Sequence, residues 1–414
     1  MNYKVIFLFI LSITFLFKIF LNCLRIESTK RLTPRNLTDV YDEITYKKWK
    51  TYKAESIRLA FFEDVFSFLP LLLMVIFDFY SYISHLFNEN IPLLILFTIS
   101  IYILVDEIIR IPFAAYKDFH IEAKYGFNRT TVKTFVKDSF INLLLNFTIS
   151  LLPIYFYYYI KIVLGNWVVL VLIVTLIIIM MLFNFLFPYF AKIFNKFTPL
   201  KDGELKTKLI ALGEKCGYAF SNIYVIDASK RSTKDNAYFS GFGKTKRIVI
   251  YDTLLEKYSV DEIVAIFAHE LGHAIHKDTL KSLPNLIIFS IFAIIGFYLL
   301  TEYSLIYTSF GFDSVNYGFA FIIFSGCFEL INLIYGILIN AISRKHEYAA
   351  DKNAVILGYG DELIASLKKL AKNSFSYLSI NPILQFVVGS HPTLEERINN
   401  IEKEEANLAT KNQD

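Results

Sequence analysis

Long apolar runs alternate with charged segments along almost the whole chain. Seven of these runs are long enough to cross a bilayer, because about 20 apolar residues span its hydrocarbon core. They cover approximately residues 5–24, 61–84, 91–112, 139–160, 166–187, 283–301 and 317–341. The pattern predicts a predominantly α, polytopic membrane protein with seven transmembrane helices. Polar residues inside the runs indicate that these helices surround an intramembrane chamber.

The charges of the connecting segments predict an orientation. Lys and Arg concentrate in segments 25–60, 113–138, 188–282 and 342–414, whereas 85–90 and 302–316 contain none and 161–165 contains one. By the positive-inside rule the basic segments face the cytosol and the N-terminus faces the lumen. We therefore divide the chain into five spans (1–187), a cytosolic part (188–282), spans six and seven (283–341) and a C-terminal helical part (342–414).

Composition narrows the classes of partner. The 414 residues are 55% hydrophobic, with a formal net charge of only +4, and the mean hydropathy is +0.46. So small a charge gives no reason to expect nucleic acid, and the basic loops suit membrane lipid. Three cysteines form neither a disulfide framework nor a C-x-x-C metal site. A metal ion would therefore depend on histidines and carboxylates.

Polar residues within the predicted spans would be costly against lipid, so we expect them to face protein or water. Asp106 and Arg110, four residues apart, are expected to pair. The alternative to a wet chamber is hydrogen bonding between helices without a cavity. The polar positions in question are Asp64, Asp78, Asp106, Glu107, Asn142, Asn146, Asn184, Glu329 and Asn332.

The stretch "AHELGHAIHKD", residues 268–278, has the spacing of a metal site. His269 and His273 are four residues apart, so an α-helix places both imidazoles on one face. With Glu270 they form an H-E-x-x-H pattern, in which two imidazoles bind one zinc ion and the glutamate acts as general base. Ser259 and Glu262 form a capping box before an apolar helical repeat. The motif is therefore predicted to lie within a helix.

A small sheet is predicted before that helix. "SNIYVIDAS" and "KRIVIYDTLL" have strand composition, and "NAYFSGFGKTKRIVIY" is typical of a hairpin that turns at residues 243–246. Asp235 to Phe239 is our candidate for an exposed edge strand that binds an extended peptide, with Asn236 and Ala237 in contact with it. The alternative is a purely structural hairpin.

Two further segments offer the remaining site residues. In "NAISRKHEYAADKNA", Glu347 and Asp351 are four apart, which suits Glu347 as the third zinc ligand and Asp351 as the acceptor of a ligating histidine's second N–H. In "GSHPTLEER", His391 and Arg397 could stabilise an oxyanion or hold a substrate carboxylate. The alternatives are a solvated helix face and an ordinary surface histidine.

These motifs, in this order, resemble the type I CAAX prenyl proteases, which are integral-membrane zinc metallopeptidases. The resemblance covers nearly the whole chain and also rests on "IPFAAYKDFHIEAKYGFNRTTVKTFVKD". It implies His269, His273 and Glu347 as ligands of one Zn²⁺, with Glu270 as the base. It further implies Asp351 behind the ligands, Asn236 and its strand beside the peptide, and His391 with Arg397 near the scissile bond.

The resemblance also implies a substrate and a location. The expected function is removal of the C-terminal tripeptide from prenylated CAAX proteins or peptides, in the endoplasmic reticulum membrane if the source is a eukaryote, with the active site cytosolic. Departures from the family pattern occur at "KDNAY" and "EAKYGFN", which are expected to affect substrate preference. Two alternatives are a quality-control metalloprotease of the heat-shock type and a non-proteolytic channel or transporter.

Overall fold

The structure is a computed structural model that describes residues 2–87, 90–218, 222–240 and 247–411, without the side chains of 183–194, 222, 239 and 240. Within these ranges the chain is mostly helical, as predicted. Its α-helices are α1 (Tyr3–Ser28), α2 (Glu43–Ile76), α3 (Phe79–Ser84), α4 (Ile91–Tyr116), α5 (Val132–Leu164), α6 (Val168–Phe194), α7 (Glu204–Lys215), α8 (Asp252–Lys257), α9 (Val260–His276), α10 (Asp278–Glu302), α11 (Ser304–Thr308), α12 (Tyr317–Ile356), α13 (Gly360–Asn373), α14 (Pro382–Val388) and α15 (Leu394–Lys411).

Short helical turns and one small sheet complete the described elements. The 3₁₀ turns are Arg35–Leu37, His85–Phe87, Gly165–Trp167 and Ala228–Lys230, and a π-helical turn at Lys117–Glu122 extends α4. The strands are β1 (Phe197–Pro199), β2 (Asn222–Ile226), β3 (Ala237–Ser240) and β4 (Arg247–Tyr251).

The predicted spans are confirmed as long apolar helices. Six stretches of the described chain are long and apolar enough to cross a membrane, and one of them, Val132–Leu182, contains both α5 and part of α6 around the turn at Gly165–Trp167. The seven predicted runs therefore correspond to α1, α2, α4, α5, α6, α10 and α12. The molecule is an integral membrane protein.

The second span ends earlier than the apolar pattern indicates. We expected a continuous helix to residue 84, but α2 stops at Ile76, and Asp78 has a left-handed backbone with φ 52°. Lys4 of α1 donates to the carbonyl of Ile76 at 2.8 Å and to both carboxylate oxygens of Asp78 at 2.9 Å. This lysine satisfies the groups left at the helix end, so the chain can break there.

Three of the nine predicted polar positions, Asp64, Asp106 and Glu329, line one cavity. A cavity of about 460 Å³ lies among α1, α2, α4 and α12, and its wall includes Lys18, Glu63, Asp64, Asp106 and Glu329. Lys18 pairs with Glu329, and Asn22 donates to Asp64 at 3.0 Å.

The predicted pairing of Asp106 with Arg110 was wrong, whereas Glu107 faces protein as predicted. Arg110 forms its ion pair with Glu107, the residue directly after the expected partner Asp106. Glu107 also accepts a hydrogen bond from Asn146 at 2.8 Å. Burial explains the choice, because Glu107 is enclosed by neighbouring helices whereas Asp106 faces the cavity. Asn142 is partly buried, Asn332 is exposed, and the side chain of Asn184 lies outside the described residues.

Helix α9 lies at the centre of the non-spanning part. Its buried residues include Ile263, Val264, Ala265, Phe267 and Leu271, so it is enclosed on almost every side by α7, α12, α13 and the sheet. The next helix, α10, enters a predicted span, and α12 continues from its predicted span to Ile356 without a break. The predicted boundary at 341/342 therefore falls inside one continuous helix, and the four-segment division stays a prediction.

The sheet has the order β1-β2-β4-β3, with β2 and β4 parallel and the two outer pairs antiparallel. The predicted hairpin strands β3 and β4 pair with Ala237 opposite Ile250, and the proposed turn at 243–246 lies outside the described residues. β3 is an edge strand of this sheet and packs against α9. Within the described part of the chain, no strand pairs with the outer edge of β3, which lies next to the helix of the H-E-x-x-H motif.

Candidate metal centre

The two motif histidines lie on one face of α9. Ser259 and Glu262 form the predicted capping box: Glu262 N–H donates to the serine hydroxyl at 3.2 Å, and Ser259 N–H donates to the glutamate carboxylate at 2.7 Å. The ring centroids of His269 and His273 are 4.9 Å apart. Helix initiation at Ser259 thus fixes the phase that brings both imidazoles together.

Close packing of α9 on α12 brings the third group to the histidines. α9 packs more extensively against α12 than against any other described element. The two helices touch at Gly272, where a Cβ atom would lie 2.8 Å from the Cα of Ala350. Asn353 donates to the carbonyl of Ala268 at 2.8 Å across the same contact. Only glycine permits this approach, which places Glu347 opposite the motif.

His269, His273 and Glu347 form the one group of metal-ligating side chains found in the described part of the chain, with ligand atoms within 4.8 Å of one another. His269 Nε2 lies 3.5 Å from Glu347 Oε2, and His273 Nε2 lies 3.3 Å from Glu347 Oε1. Glu347 Oε2 is buried without a hydrogen-bond partner among the described residues. A buried carboxylate whose two oxygens each face an imidazole nitrogen, one of them without a hydrogen-bond partner, fits a divalent metal ion. Two histidines with one carboxylate form a donor set that zinc accepts.

Asp351 and Arg397 lie behind His269. His269 Nδ1 is 2.8 Å from Asp351 Oδ1, on the ring side opposite the cluster. Arg397 donates to both oxygens of Asp351, at 2.9 and 2.6 Å, and its Nη1 is 3.4 Å from Glu347 Oε2. The sequence-predicted partnership of Asp351 with a ligating histidine has the expected geometry. The guanidinium of Arg397 faces the carboxylates of the cluster, and its predicted contact with substrate stays a prediction.

A second carboxylate, which sequence reasoning missed, lies behind His273. Asp278 Oδ2 is 2.9 Å from His273 Nδ1, and Asp278 is buried. Lys277 has a left-handed backbone, φ 55°, which ends α9 and lets the first residue of α10 turn back to the histidine. Each histidine therefore has its own carboxylate partner. The available signal was an acidic residue five positions after the second histidine.

Glu270 points into the cavity beside the cluster. A cavity of about 200 Å³ is bordered by His269, Glu270, Glu347 and Arg397 on its polar side. Burial raises the pKa of Glu270 above the ordinary value of a glutamate, although the neighbouring histidines act in the opposite direction. A raised pKa improves a carboxylate as a proton acceptor.

The predicted peptide-contacting residues line the same cavity. Asn236 and Ala237, at the start of the edge strand β3, form one wall. His391 forms another, with Nε2 3.4 Å from Glu347 Oε1 and an exposed ring. The apolar wall consists of Leu254, Ile266, Leu363, Leu367 and Leu370. The structure thus brings every sequence-predicted site residue to one cavity or directly behind it.

Uptake of a metal ion is expected to depend steeply on pH. Burial lowers the pKa of His273, but hydrogen bonds that the protonated ring donates to Glu347 and Asp278 outweigh this effect and raise the pKa to about 9. A ligating imidazole must be neutral, so binding below that pKa displaces a proton. We expect the apparent affinity of the metal-free protein for zinc to rise by up to about tenfold per pH unit between pH 6 and 9.

Calorimetric zinc titrations of the metal-free protein in several buffers, compared at pH 6, 7 and 8, test this expectation. Proton release, calculated from the dependence of the binding enthalpy on buffer ionisation, should approach one per zinc ion at pH 7. An affinity that is constant across this range would contradict the expectation.

Gly272→Ala is expected to separate the metal ligands. The new methyl group would overlap the backbone of Ala350, which cannot move as a side chain tip does. Overpacking of this kind costs roughly 1–3 kcal/mol of stability. We expect lower zinc content and a lower Tm. The matched control is Gly336→Ala in α12, where no atom lies within 4 Å of the added methyl group; equal behaviour of the two variants would contradict the expectation.

Comparison with known proteins gives consistent matches along the chain. Residues 199–405 match the model of peptidase family M48, and residues 22–196 match the model described as "CAAX prenyl protease N-terminal, five membrane helices". CAAX prenyl protease 1 of Saccharomyces cerevisiae is 31% identical over 88% of this chain and 87% of its own length. The Dictyostelium discoideum homologue is 32% identical over 98% and 99%.

A solved structure matches the whole architecture. The crystal structure of S. mikatae Ste24p superposes with a TM-score of 0.89 at 28% sequence identity, covering 97% of this chain and 99% of that chain. The human CAAX prenyl protease 1 homolog is 28% identical over 90% of this chain. The likeness therefore includes the membrane helices as well as the part of the chain that contains His269, His273 and Glu347.

Proposed function

This chain belongs to the CAAX prenyl protease 1 family of M48 metallopeptidases, and from that premise we propose that it releases the C-terminal tripeptide of prenylated CAAX proteins or peptides at the membrane. The ion at His269, His273 and Glu347 is proposed to be a single Zn²⁺. The protein is a membrane-embedded metalloprotease by its family and fold.

One observation carries the proposal: the metal-ligating side chains, the edge strand β3 and a wall of aliphatic side chains meet in one cavity. An extended peptide that pairs with β3 has its backbone beside Ala237 and within reach of Glu270. The leucines of α13, at positions 363, 367 and 370, share one helix face and can receive the two aliphatic side chains of a CAAX tripeptide. A cavity of about 200 Å³ suits a few side chains rather than a folded domain.

The chain's own residues supply proton transfer and positioning. When bound, zinc acts as a Lewis acid that acidifies water and polarises a carbonyl group. Glu270 accepts the proton of the attacking water and returns it to the leaving amine. His391, at the cavity edge, donates towards the oxyanion that develops on the scissile carbonyl. Asn236, at the start of β3, holds the peptide through its side chain.

Carboxylates behind the histidines fix how the imidazoles face the metal. Asp351 and Asp278 each accept an Nδ1–H, which leaves Nε2 of both histidines free for the ion. Arg397 balances the negative charge of Asp351 and Glu347, so two carboxylates can stay ionised within a buried site. This division of roles makes Arg397 a support for the ligands in addition to a wall of the cavity.

The position of the cavity suggests why the protease is embedded in a membrane. α10 and α12 run from the metal centre directly into predicted spans, so the cavity lies at the membrane surface. A prenyl chain can remain in apolar surroundings while its peptide reaches β3. The basic segments favour an orientation with this side in the cytosol and the N-terminus in the lumen. In a eukaryotic cell, the endoplasmic reticulum membrane is the proposed location.

Cleavage of a farnesylated CAAX peptide by the detergent-purified protein tests the proposal. Mass spectrometry should detect release of the last three residues, and a zinc chelator should abolish it. The matched control is the same peptide without the farnesyl group, which should be cut at least about tenfold more slowly, because burying each prenyl carbon contributes to binding. Equal cleavage of both peptides, or cleavage at another bond, would contradict the proposal.

A further inference from the structure

Two lysines, Lys53 and Lys234, lie near the same aromatic ring, that of Tyr52. Lys234 comes three residues before the start of the edge strand β3. Lys234 Nζ lies 5.9 Å and Lys53 Nζ 5.5 Å from the centroid of the Tyr52 ring. Lys234 also stands 5.1 Å from the Phe127 ring, and Lys53 stands 4.5 Å from the Tyr377 ring. A cation within about 6 Å of a ring centroid is attracted to the face of the ring, and the ring adds no negative charge that would neutralise it.

The charged side chains around the Tyr52 ring carry a net positive charge, because three lysines, at positions 53, 117 and 234, face two acidic groups. Glu122, from the π-helical turn after α4, accepts from Lys234 at 3.0 Å and from the Tyr52 hydroxyl at 2.7 Å. Asp118, one turn earlier, is the other acidic group that interacts with Lys234; Lys117 beside it offsets that charge. Lys234 has three N–H donors and two of them face Glu122 and Tyr52. Its side chain is 39% exposed, so a donor remains accessible to a ligand.

Hydrogen bonds to neighbouring residues hold the backbone around Lys234 in place. Thr253 donates to the carbonyl of Lys234 at 3.0 Å. The side chain of Asp235 is fully buried and accepts from Lys257 at 2.8 Å and from Asn373 at 3.0 Å. Lys257 also donates to the carbonyl of residue 233. The position of Lys234 relative to β3 is therefore fixed by the fold rather than by a loose loop.

The direction of the substrate follows from the pairing of β3. Tyr251 donates to the carbonyl of Asn236 at 3.1 Å, so that carbonyl faces β4. Alternation along a strand then turns the carbonyl of Ala237 to the free edge. Antiparallel pairing is the more stable arrangement. A substrate paired in this way runs with its C-terminal residues past Asn236 and towards Lys234.

The length of an extended tripeptide brings the C-terminus of the substrate to the level of Lys234. If the scissile bond lies beside Glu270 and Ala237, three extended residues beyond it cover about 10 Å. Lys234 precedes Ala237 by three residues. The free carboxylate of the tripeptide thus arrives at the level of the lysine pair.

We propose that Lys234, assisted by Lys53, binds the α-carboxylate at the C-terminus of the substrate and thereby selects for cleavage three residues from a chain end. This inference rests on the proposed function. It assigns a specificity role to the "KDNAY" segment, residues 234–238. Lys234 supplies the charge, and Asp235 anchors the strand.

The test compares two farnesylated peptides of identical sequence, one with a free C-terminal carboxylate and one with a C-terminal carboxamide. The wild-type protein should show a kcat/KM at least roughly tenfold higher for the acid, as expected for a charge-assisted hydrogen bond. Lys234→Met should remove most of this preference while its rate on the amide stays within about twofold of wild type. Lys234→Arg should restore the preference.

The amide peptide separates recognition from folding. A variant that is merely damaged would lose activity on both peptides equally, and that result would overturn the proposal, as would a preference that survives in Lys234→Met. Lys124→Met, at an exposed neighbouring lysine paired with Glu55, is the matched control and should keep the wild-type preference. If the wild-type protein cuts neither peptide, the proposed function fails; if it cuts both equally well, only the carboxylate site fails.

Discussion

Glu270→Gln is expected to lower the rate of peptide hydrolysis by at least about 10³-fold while the protein keeps its metal ion. The substitution retains the shape of the side chain but removes its ability to accept a proton, and positioned acid–base groups contribute typically 10²–10⁴-fold to rates. Glu270 is not among the three clustered ligands, so zinc content should stay at one per chain. The effect should appear in kcat more than in KM, because the proton moves only in the reaction.

Single-turnover cleavage of the farnesylated peptide, together with zinc analysis by mass spectrometry, measures both quantities. Glu256→Gln, the same exchange at an exposed position of α8, is the matched control and should behave as wild type. Loss of zinc in Glu270→Gln would show that this residue is a ligand. Retention of full activity would revive the alternative of a different base or a role other than proteolysis.

Local sequence signals were sufficient for the parts of the site that depend on one helix. The capping box at Ser259 sets the phase of α9, so the spacing of His269 and His273 alone predicted their common face. In the same way, Glu347 and Asp351 follow from a four-residue spacing on α12. The long apolar runs likewise identified the spanning helices, because hydrocarbon thickness fixes their length.

Features that depend on a single backbone angle could not be predicted in this way. Asp278 reaches His273 only because Lys277 adopts a left-handed conformation, which is rare for a residue other than glycine. Asp78 ends α2 by the same kind of conformation, inside a run whose hydrophobicity favoured continuation. Neither lysine nor aspartate at such a position signals the break.

Contacts between distant helices were the other unpredictable class. Helix propensity favours alanine over glycine within a helix, so Gly272 has no local explanation. Its reason is the approach of Ala350, 78 positions later in the chain, which sequence periodicity does not reveal. The choice of Glu107 over Asp106 by Arg110 is similar, since it depends on which side of α4 neighbouring helices bury. These tertiary contacts nevertheless decide the spacing of the metal ligands.

Glu347→Gln is expected to abolish detectable cleavage and to weaken zinc binding by at least about 100-fold, because an amide oxygen is a far poorer zinc ligand than a carboxylate. It should also destabilise the metal-free protein. The oxygens of Glu347 lie 3.3 to 3.5 Å from nitrogen atoms of four groups, the permanently charged Arg397 and the rings of His269, His273 and His391. Breaking a buried charge network in this way costs about 3–5 kcal/mol.

Zinc titration measures the loss of zinc affinity. Thermal unfolding with and without zinc measures the loss of stability separately. Wild-type protein should gain a large Tm increase on zinc addition, since binding to the folded state alone stabilises it, whereas Glu347→Gln should start lower and gain little. The matched control is Glu43→Gln, the same exchange in an exposed pair with Lys47, which should change stability by less than about 0.5 kcal/mol. Wild-type zinc affinity in Glu347→Gln would move the third ligand to another residue, and an unchanged Tm without zinc would show that Arg397 is balanced by Asp351 alone.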